Sequence, residues 1–519
     1  MPDAPCTLPQ LLARNAAERP DEPVVVTADR SITHGELAVD SRALAARLVA
    51  AGVGKGARVG VVLPNGVEWA VLAAAVLRVG GVLVPLSTLL RPPELAAQLR
   101  AAGVTHLVVA RSFRGRDHPG DLDAIAPGLL DRLAGAGLHP ALPSLRRIWI
   151  DAELPDDAAR PELVDALEAR VRPADDLAVL FTSGSRGAPK GAIHTHGSAL
   201  GAVAAGLDAR RVLPGERLYI PMPFFWTGGF AMGLLSVLVA GATLLTEAVP
   251  QPDQTLRLLE RERVTLFRGW PDQAARLAAH PGFGAADLSS LGPGSLPAVL
   301  PADQRPAPGA RANLFGMTET FGPYLGARLD VDLPLAAHGS CGRPFDGFDV
   351  EVVDPGGKAC ATGDTGEVCV RGPNVMRGIC GRTRDATFDA DGYYHTGDLG
   401  SVDAGGWVWS HGRVDDMFKV KGATVYPSEV EAALRRIPGV AQAHVTDVDG
   451  VGGGHEVGAL VVSGRALDEL VAAAREQLSS FKVPTKWVVA ATADAVPLTA
   501  TSKVDKPALQ SLLQKGTTP

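Results

Sequence analysis

The segment FTSGSRGAPKG, residues 181–191, gathers three glycines, three hydroxyl side chains and a lysine. Gly184, Gly187 and Gly191 let a chain turn closely around an anion, while Thr182, Ser183 and Ser185 add hydroxyl donors and Lys190 a charge. The segment follows the apolar run LAVLF, 177–181. A loop there delivers backbone amides into the crevice at a sheet's carboxyl edge. The Walker order G-x-x-x-x-G-K-S/T is absent, because Pro189 precedes the lysine and Gly191 follows it. That argues against a conventional P-loop kinase or motor. Phosphate binding of another kind and a plain surface turn both remain open for this segment alone.

Two further clusters extend the pattern. In NLFGMTET, 313–320, Phe315 offers a stacking ring beside Gly316 and Met317, Thr318 a phosphate-binding hydroxyl and Glu319 a metal-binding carboxylate. In YYHTGDLG, 393–400, Asp398 occupies a Gly-Asp turn suited to accepting hydrogen bonds from ribose hydroxyls, and Arg413 in HGRVDD can reach the same ribose or nearby phosphates. Taken singly, each residue also has an ordinary structural role available: core ring, helix cap, turn aspartate, interface arginine. Their joint occurrence in this order is specific.

In that order the motifs resemble the adenylate-forming superfamily of acyl-CoA synthetases, stand-alone peptide-synthetase adenylation domains and luciferases. The resemblance runs from about residue 10 to about 512 and is carried by TSGSRGAPKG (182–191), GMTET (316–320), YYHTGD (393–398), GRVDDMFKVKG (412–422), VYPSEVE (425–431), FKVP (481–484) and PLTATSK (497–503). It implies a two-step reaction: a carboxylate attacks the α-phosphorus of ATP to give an acyl adenylate and pyrophosphate, and a thiol then displaces AMP. It also implies ATP, Mg2+ and coenzyme A as co-substrates. By the same resemblance the 182–191 loop faces phosphates, with Arg186 read either as a charged phosphate contact or as a guanidinium pointing to solvent; Phe315 stacks adenine, and Gly292 to Gly294 match the adenine wall more weakly. Thr318 contacts phosphate, Glu319 holds magnesium, Asp398 and Arg413 bind ribose, and Lys503 is the adenylating lysine. Asp415 matches a hinge about which the C-terminal domain turns, and Lys421 and Gly422 a strip presented to the pantetheine tunnel.

The chain departs from the family pattern at three places. Arg186 stands where threonine is usual; Leu498 and Ser502 replace a usual arginine and glycine, with Lys503 retained. In PMPFFWTGGF, 221–230, Trp226 takes the place of a common histidine, which removes a titratable group and adds a large apolar face. Trp226 is read either as a wall of the acyl pocket or as a core tryptophan. Phe224, Phe225 and Trp226 supply no carboxylate for a substrate ammonium, which argues against an α-amino acid. With Gly229 and the Gly269, Trp270, Pro271 segment they favour a fatty, aromatic or polycyclic acid.

Positioning such residues takes a large scaffold. At 519 residues, 46% hydrophobic and 21% charged, the chain is ordinary globular material for two or more domains. A formal net charge of -7 gives no basic surface for nucleic acid. Five scattered cysteines without close ligand-like pairing suggest neither a disulfide framework nor a structural zinc site, and point to a reducing, cytoplasmic setting. The apolar stretch Gly228 to Leu245 carries four glycines and reads as a buried helix turning into a buried strand rather than a transmembrane segment.

Apolar runs at 58–64, 81–86, 106–110, 145–150, 177–181, 216–223, 241–245 and 264–269 read as strands, with helices at 35–50, up to 78, 199–209 and around 256–262. Segments 112–144 and 286–309 read as loops. The fold class is α/β: a large N-terminal domain, 1–414, of parallel-type sheets with crossover helices and a β-rich subdomain at about 330–412, then a small mobile α+β domain, 415–519. In the latter, Ser428 and Glu431 fit a capping box for a helix, a second helix spans 466–478, and strands are expected at 441–448, 457–462 and 487–490.

The expected activity is an ATP-dependent acid:CoA ligase acting as monomer or homodimer. An acyl-AMP ligase that loads a phosphopantetheinyl carrier protein is the alternative.

Overall fold

The computed structural model describes residues 7–134, 138–182, 190–416, 418–420, 423–450, 455–478, 480–499 and 503–516. Ser183, Gly184, Ser185, Arg186, Gly187, Lys421 and Gly422 lie outside the described residues, as does the side chain of Asp415. Two compact units emerge, one of Met1–Asp349 with Arg371–Tyr393, the other of Val350–Val370 with Tyr394–Pro519.

The first unit is built on two mainly parallel sheets. One has seven strands in the order Gly378–Ile379, Lys190–Thr195, Asp176–Thr182, Val82–Pro85, Arg58–Val62, His106–Val109 and Arg147–Ile150. The strands from Asp176–Thr182 to Arg147–Ile150 run parallel, and the two at the other edge are antiparallel. The other sheet has five strands, Leu266–Phe267, Arg217–Tyr219, Thr243–Leu245, Pro23–Val26 and Ser31–Thr33, parallel except at the last pairing. Burial on both faces explains their unbroken apolar sequences, such as VLVP at 82–85, where every residue is buried.

The helix Val67–Arg78 packs against both sheets, touching Val82–Pro85 and Pro23–Val26, and ten of its twelve residues are buried. The helix His34–Ala50 starts at a true capping box: Thr33 Oγ1 accepts from Glu36 N at 3.1 Å, and Glu36 Oε2 accepts from Thr33 N at 2.9 Å. The segment 228–245 is helical from Thr227 to Ala240, with a π-helical stretch at Phe230–Leu235, and ends in the strand Thr243–Leu245, as its composition implies. Among the described residues no helix is long and apolar enough to cross a membrane.

The second unit holds the sheet Asp349–Val353, Gly366–Arg371, Tyr394–Val402 and Val408–Arg413, the hairpin Phe418–Val420 with Ala423–Val425, and the sheet Val440–Asp449, His455–Ser463 and Lys486–Ala490. The helices Pro427–Arg435 and Leu467–Gln477 cover the last sheet through Val430, Leu434, Leu470, Val471 and Ala474. Trp487 fills that core, its indole N–H satisfied by Pro484 O at 2.7 Å.

Two local expectations need correction. Segment 112–144 is not loop throughout: it carries the short pair Ser112–Phe113 with Arg116–Asp117 and the helices His118–Ile125 and Leu129–Ala134, whose Leu122 and Leu129 reach the core. Ser428 does not cap its helix, because Tyr426 is the N-cap residue and Pro427 already lies in the first turn. The Ser428 hydroxyl donates to His411 O at 2.5 Å, and Glu431 Oε1 accepts from Val445 N at 3.0 Å. Tertiary partners have taken both groups that a capping box would use.

Candidate active site

In the first unit the strand Phe315–Met317 pairs antiparallel with Gly322–Gly326 across the tight turn Thr318–Thr320. Thr320 Oγ1 accepts from Met317 N at 3.2 Å and donates to Gly322 O at 2.7 Å, closing the turn from inside. Gly316 has to be glycine, since a Cβ there would lie 2.2 Å from Gly322 O. Phe321 follows at φ 58°, a left-handed conformation costly for a bulky residue. Its fully buried ring, 4.7 Å from His194 and 5.9 Å from Phe230, holds it there.

The turn is also pinned from two distant segments. His194 Nε2 donates to Thr318 O at 2.8 Å, and Met376 N donates to Glu319 O at 2.9 Å. Complete burial pulls the His194 pKa down to about 4, so the ring is neutral and its single proton is committed to Thr318. Phe315 is half-buried and edge-on to Tyr324 at 5.9 Å. Thr318 is half-buried and Glu319 is 6% exposed, so the turn carries a hydroxyl and a carboxylate on successive residues. These are hard oxygen donors on a fixed backbone, and they fit magnesium.

Lys190 opens the strand after the phosphate-loop segment, paired with Thr182, and Gly191 lets that strand lie close to Val179 and Cys380. Gly292 N donates to Thr265 O at 2.8 Å, and Gly294 adopts φ 97°, where a side chain would be strained.

The segment 221–230 forms an aromatic wall in the same unit. Phe224 is fully buried, edge-on to Trp69 at 5.1 Å. Phe225 meets Trp226 at 5.2 Å, and Trp226 meets Trp270 at 6.5 Å, both edge-to-face. Trp226 is half-buried and Trp270 is 40% exposed, so the row of rings runs from the core to an open face rather than ending as core packing. A Cβ at Gly229 would lie 2.3 Å from Pro223 O, which is why the chain can fold back at this point only with glycine. Asn65 fixes the loop, accepting from Phe224 N at 2.7 Å and donating to Met222 O at 2.8 Å.

The second unit carries the remaining residues. Asp398 and Arg413 are register partners on adjacent strands, and Arg413 Nη1 donates to Asp398 Oδ1 at 2.9 Å. Gly397, at φ 73°, makes the turn that presents Asp398, and Asp398 N donates to Thr396 Oγ1 at 3.0 Å. The Asp415 backbone lies in the turn Val414–Asp416. Lys503 is exposed at the end of a hairpin whose strands meet at Leu498 and Val504; Thr499 N donates to Lys503 O at 2.7 Å.

Sequence reasoning thus located the Thr318–Glu319 turn, the Asp398–Arg413 pair and the aromatic wall. It passed over His194 and Asn65, whose one visible signal is a polar side chain set at the end of an apolar run, IHTH and VVLPN.

A doubly sheeted α/β unit with an oxygen-lined turn, followed by a small α+β unit bearing an exposed lysine hairpin, defines the adenylate-forming class of enzyme. The chain belongs to the AMP-binding enzyme family, which it matches over residues 12–380, with the AMP-binding enzyme C-terminal domain matched over 429–503. It is 34% identical to the 3-[(3aS,4S,7aS)-7a-methyl-1,5-dioxo-octahydro-1H-inden-4-yl]propanoyl:CoA ligase of Mycobacterium tuberculosis, covering 98% of this chain and 99% of the relative. A feruloyl-CoA synthase of Amycolatopsis is 33% identical, over 95% of this chain and 96% of its own length. The fold matches an anthranilate CoA ligase in complex with anthranoyl-AMP, with a TM-score of 0.79, 23% identity and coverage of 98% and 97% of the two chains. The chain is an AMP-forming acyl-CoA synthetase that takes ATP, Mg2+ and CoA together with a carboxylic acid.

Proposed function

We propose that the acid is a bulky aromatic or polycyclic carboxylic acid, joined to CoA through its acyl adenylate. The observation that carries this reading is the row Phe225, Trp226, Trp270, which offers flat ring faces and edges and no charge to a substrate. The ligases for an octahydroindenyl propanoate and for ferulate among the relatives support it.

A carboxylic acid is ionised at neutral pH, so it attacks the α-phosphorus without a general base. Its oxygen–phosphorus bond forms as the bond to pyrophosphate breaks. Two negative groups meet in that step, so the chain must supply cation and dipole where charge gathers. Lys503 is assigned the ammonium at the reacting oxygens, and Lys190 with the hydroxyls of Thr182, Ser183 and Ser185 the pyrophosphate side, where the Arg186 guanidinium would add a further charge. Glu319 would hold Mg2+, which supplies charge neutralisation on the phosphates, while the Thr318 hydroxyl contacts phosphate. Phe315 is assigned to adenine, with Gly292 to Gly294 as its wall, and Asp398 and Arg413 to the ribose hydroxyls.

In the second step the CoA sulfur bonds to the acyl carbon and the carbon–oxygen bond to AMP breaks. Division of the chain into 1–414 and 415–519, turning at Asp415 so that Lys503 leaves and Lys421 and Gly422 face pantetheine, lets one adenylate pocket serve both steps. The scattered placement of the cysteines accords with work in a reducing cytoplasm.

A pyrophosphate-release screen over aromatic, polycyclic and straight-chain acids, with and without CoA and with mass detection of the thioester, tests the reading. Ring acids should exceed straight-chain acids of equal carbon number in kcat/KM by about tenfold, and Trp226→Ala should erase that preference. Preference for straight-chain acids would overturn the ring-acid assignment, and a product found only on carrier-protein phosphopantetheine would overturn free CoA as acceptor.

A further inference from the structure

The sheet of the second unit brings together three side chains that the adenylation chemistry does not use. Cys369 and His395 are register partners on the adjacent strands Gly366–Arg371 and Tyr394–Val402. Glu367 precedes Cys369 by two residues and so shares its face, and a register shift between the two carries the carboxylate toward the same imidazole. His395 Nδ1 lies 2.9 Å from Glu367 Oε2 and 3.4 Å from Cys369 Sγ, and one ligand atom from each residue lies within 4.8 Å of the other two.

Both contacts converge on one ring nitrogen. That nitrogen carries at most one proton, which serves the carboxylate, while the Cys369 thiol has Glu367 O as an acceptor at 4.0 Å. A cation within the triangle would replace these protons and bind nitrogen, sulfur and carboxylate oxygen together. We propose that Glu367, Cys369 and His395 form a binding site for a thiophilic divalent cation of the zinc class.

Tetrahedral zinc with ordinary bond lengths separates nitrogen from sulfur by about 3.5 Å and nitrogen from oxygen by about 3.4 Å. The sulfur already stands at that separation, and the carboxylate has to withdraw by about half an ångström. Glu367 Oε1 accepts from Gly397 N at 2.9 Å, a contact from the other carboxylate oxygen that orients the group from behind. The Cys369 residue is buried to 1% exposure, while the His395 side chain is 42% exposed, so the ion enters from the imidazole side and keeps a fourth position for water. Binding releases the thiol proton to solvent as the sulfur–metal bond forms. Thiolate with imidazole selects zinc over magnesium, so this site does not compete for the ion that accompanies ATP.

Titration of the full-length, reduced protein with Co2+ and then Zn2+, in excess Mg2+ and without ATP, tests the site. One equivalent of Co2+ should produce a thiolate charge-transfer band that Zn2+ abolishes. Cys369→Ser should remove the band, Cys380→Ser should leave it, and both Cys369→Ser and His395→Gln should weaken Zn2+ binding by at least about 100-fold. His395 lies at the surface, so its variant reports on the site even if the buried serine impairs folding. Absence of the band in the unmodified protein, its survival in Cys369→Ser, or unchanged zinc affinity in His395→Gln would overturn the proposal.

Discussion

The turn Thr318–Thr320 and the hairpin that ends at Lys503 carry opposite kinds of order. The turn is fixed by the Thr320 hydroxyl, by a neutral buried histidine, by the Met376 amide and by a strained Phe321 that its packing keeps in place. The hairpin closes on the Leu498–Val504 bridge and the Thr499–Lys503 hydrogen bonds, with Leu498 at 55% exposure and Lys503 at the surface. Groups assigned to phosphate, as in this turn, would gain from preorganisation, because donors already aimed cost no rearrangement in the transition state. A lysine assigned to only one of two half-reactions would gain from standing on an element able to withdraw.

That contrast is most directly broken at Lys503. Lys503→Ala should lower adenylate formation by about a thousandfold while changing the conversion of supplied acyl adenylate to thioester by less than about tenfold. Pyrophosphate release and single-turnover thioester formation measure the two halves. Equal losses in both would mean that the hairpin lysine serves the whole cycle.

Acid should act first on the first unit. His34, His106 and His196 are buried there, and burial holds each pKa at about 4 against an ordinary value of 6.5. Folding therefore favours the neutral ring, and the unfolded chain binds more protons between these values. The stability is complete above about pH 6.5, is lost as the pH falls toward about 4, and costs up to about 3 kcal/mol per histidine. Hydrogen exchange followed from pH 7 to 4 should show protection falling across the sheets of the first unit, with Tm level above pH 6.5. Loss confined to the second unit would contradict the ranking of the two regions.

His194 sharpens the same contrast at a single bond. His194→Ala removes the side-chain donor to Thr318 O, which keeps the Phe321 amide at 3.0 Å, and should reduce adenylation by about 10- to 100-fold, with a raised Mg2+ requirement. His194→Gln restores a donor and should recover part of the loss. An Ala variant that loses stability alone, with kcat and Mg2+ dependence unchanged, would make His194 a packing residue.

What could be read from sequence divides along similar lines. The parallel strands were legible because burial on both faces writes itself as short apolar runs, and GMTET, YYHTGD and PLTATSK were legible because each keeps its chemistry within a few residues. His194 was not, because its partner is 124 residues away and its role is a proton given to a carbonyl. Nor was the strain at Phe321, since a left-handed phenylalanine has no local signature and depends on rings from two other segments. The proposed thiophilic site was hidden for a related reason: its cysteine has no cysteine partner in sequence, and only strand register sets it against His395.

Ser428 supplies the finest test, because two readings of one hydroxyl predict different substitutions. As an N-cap it would accept from a backbone amide, and Asp or Asn would replace it well while Ala would cost about 1 kcal/mol. In the structure it donates to His411 O instead, and a Cβ on Gly412 would stand 2.6 Å from its oxygen. Ser428→Thr keeps the donor and should stay within about 0.5 kcal/mol of the parent, and Ser428→Ala should lose about 1 kcal/mol. Ser428→Asp should lose more than either, since a carboxylate can only accept and would face a carbonyl oxygen across a short contact. Melting of the three variants decides between the two, and an Asp variant as stable as the parent would return Ser428 to the cap.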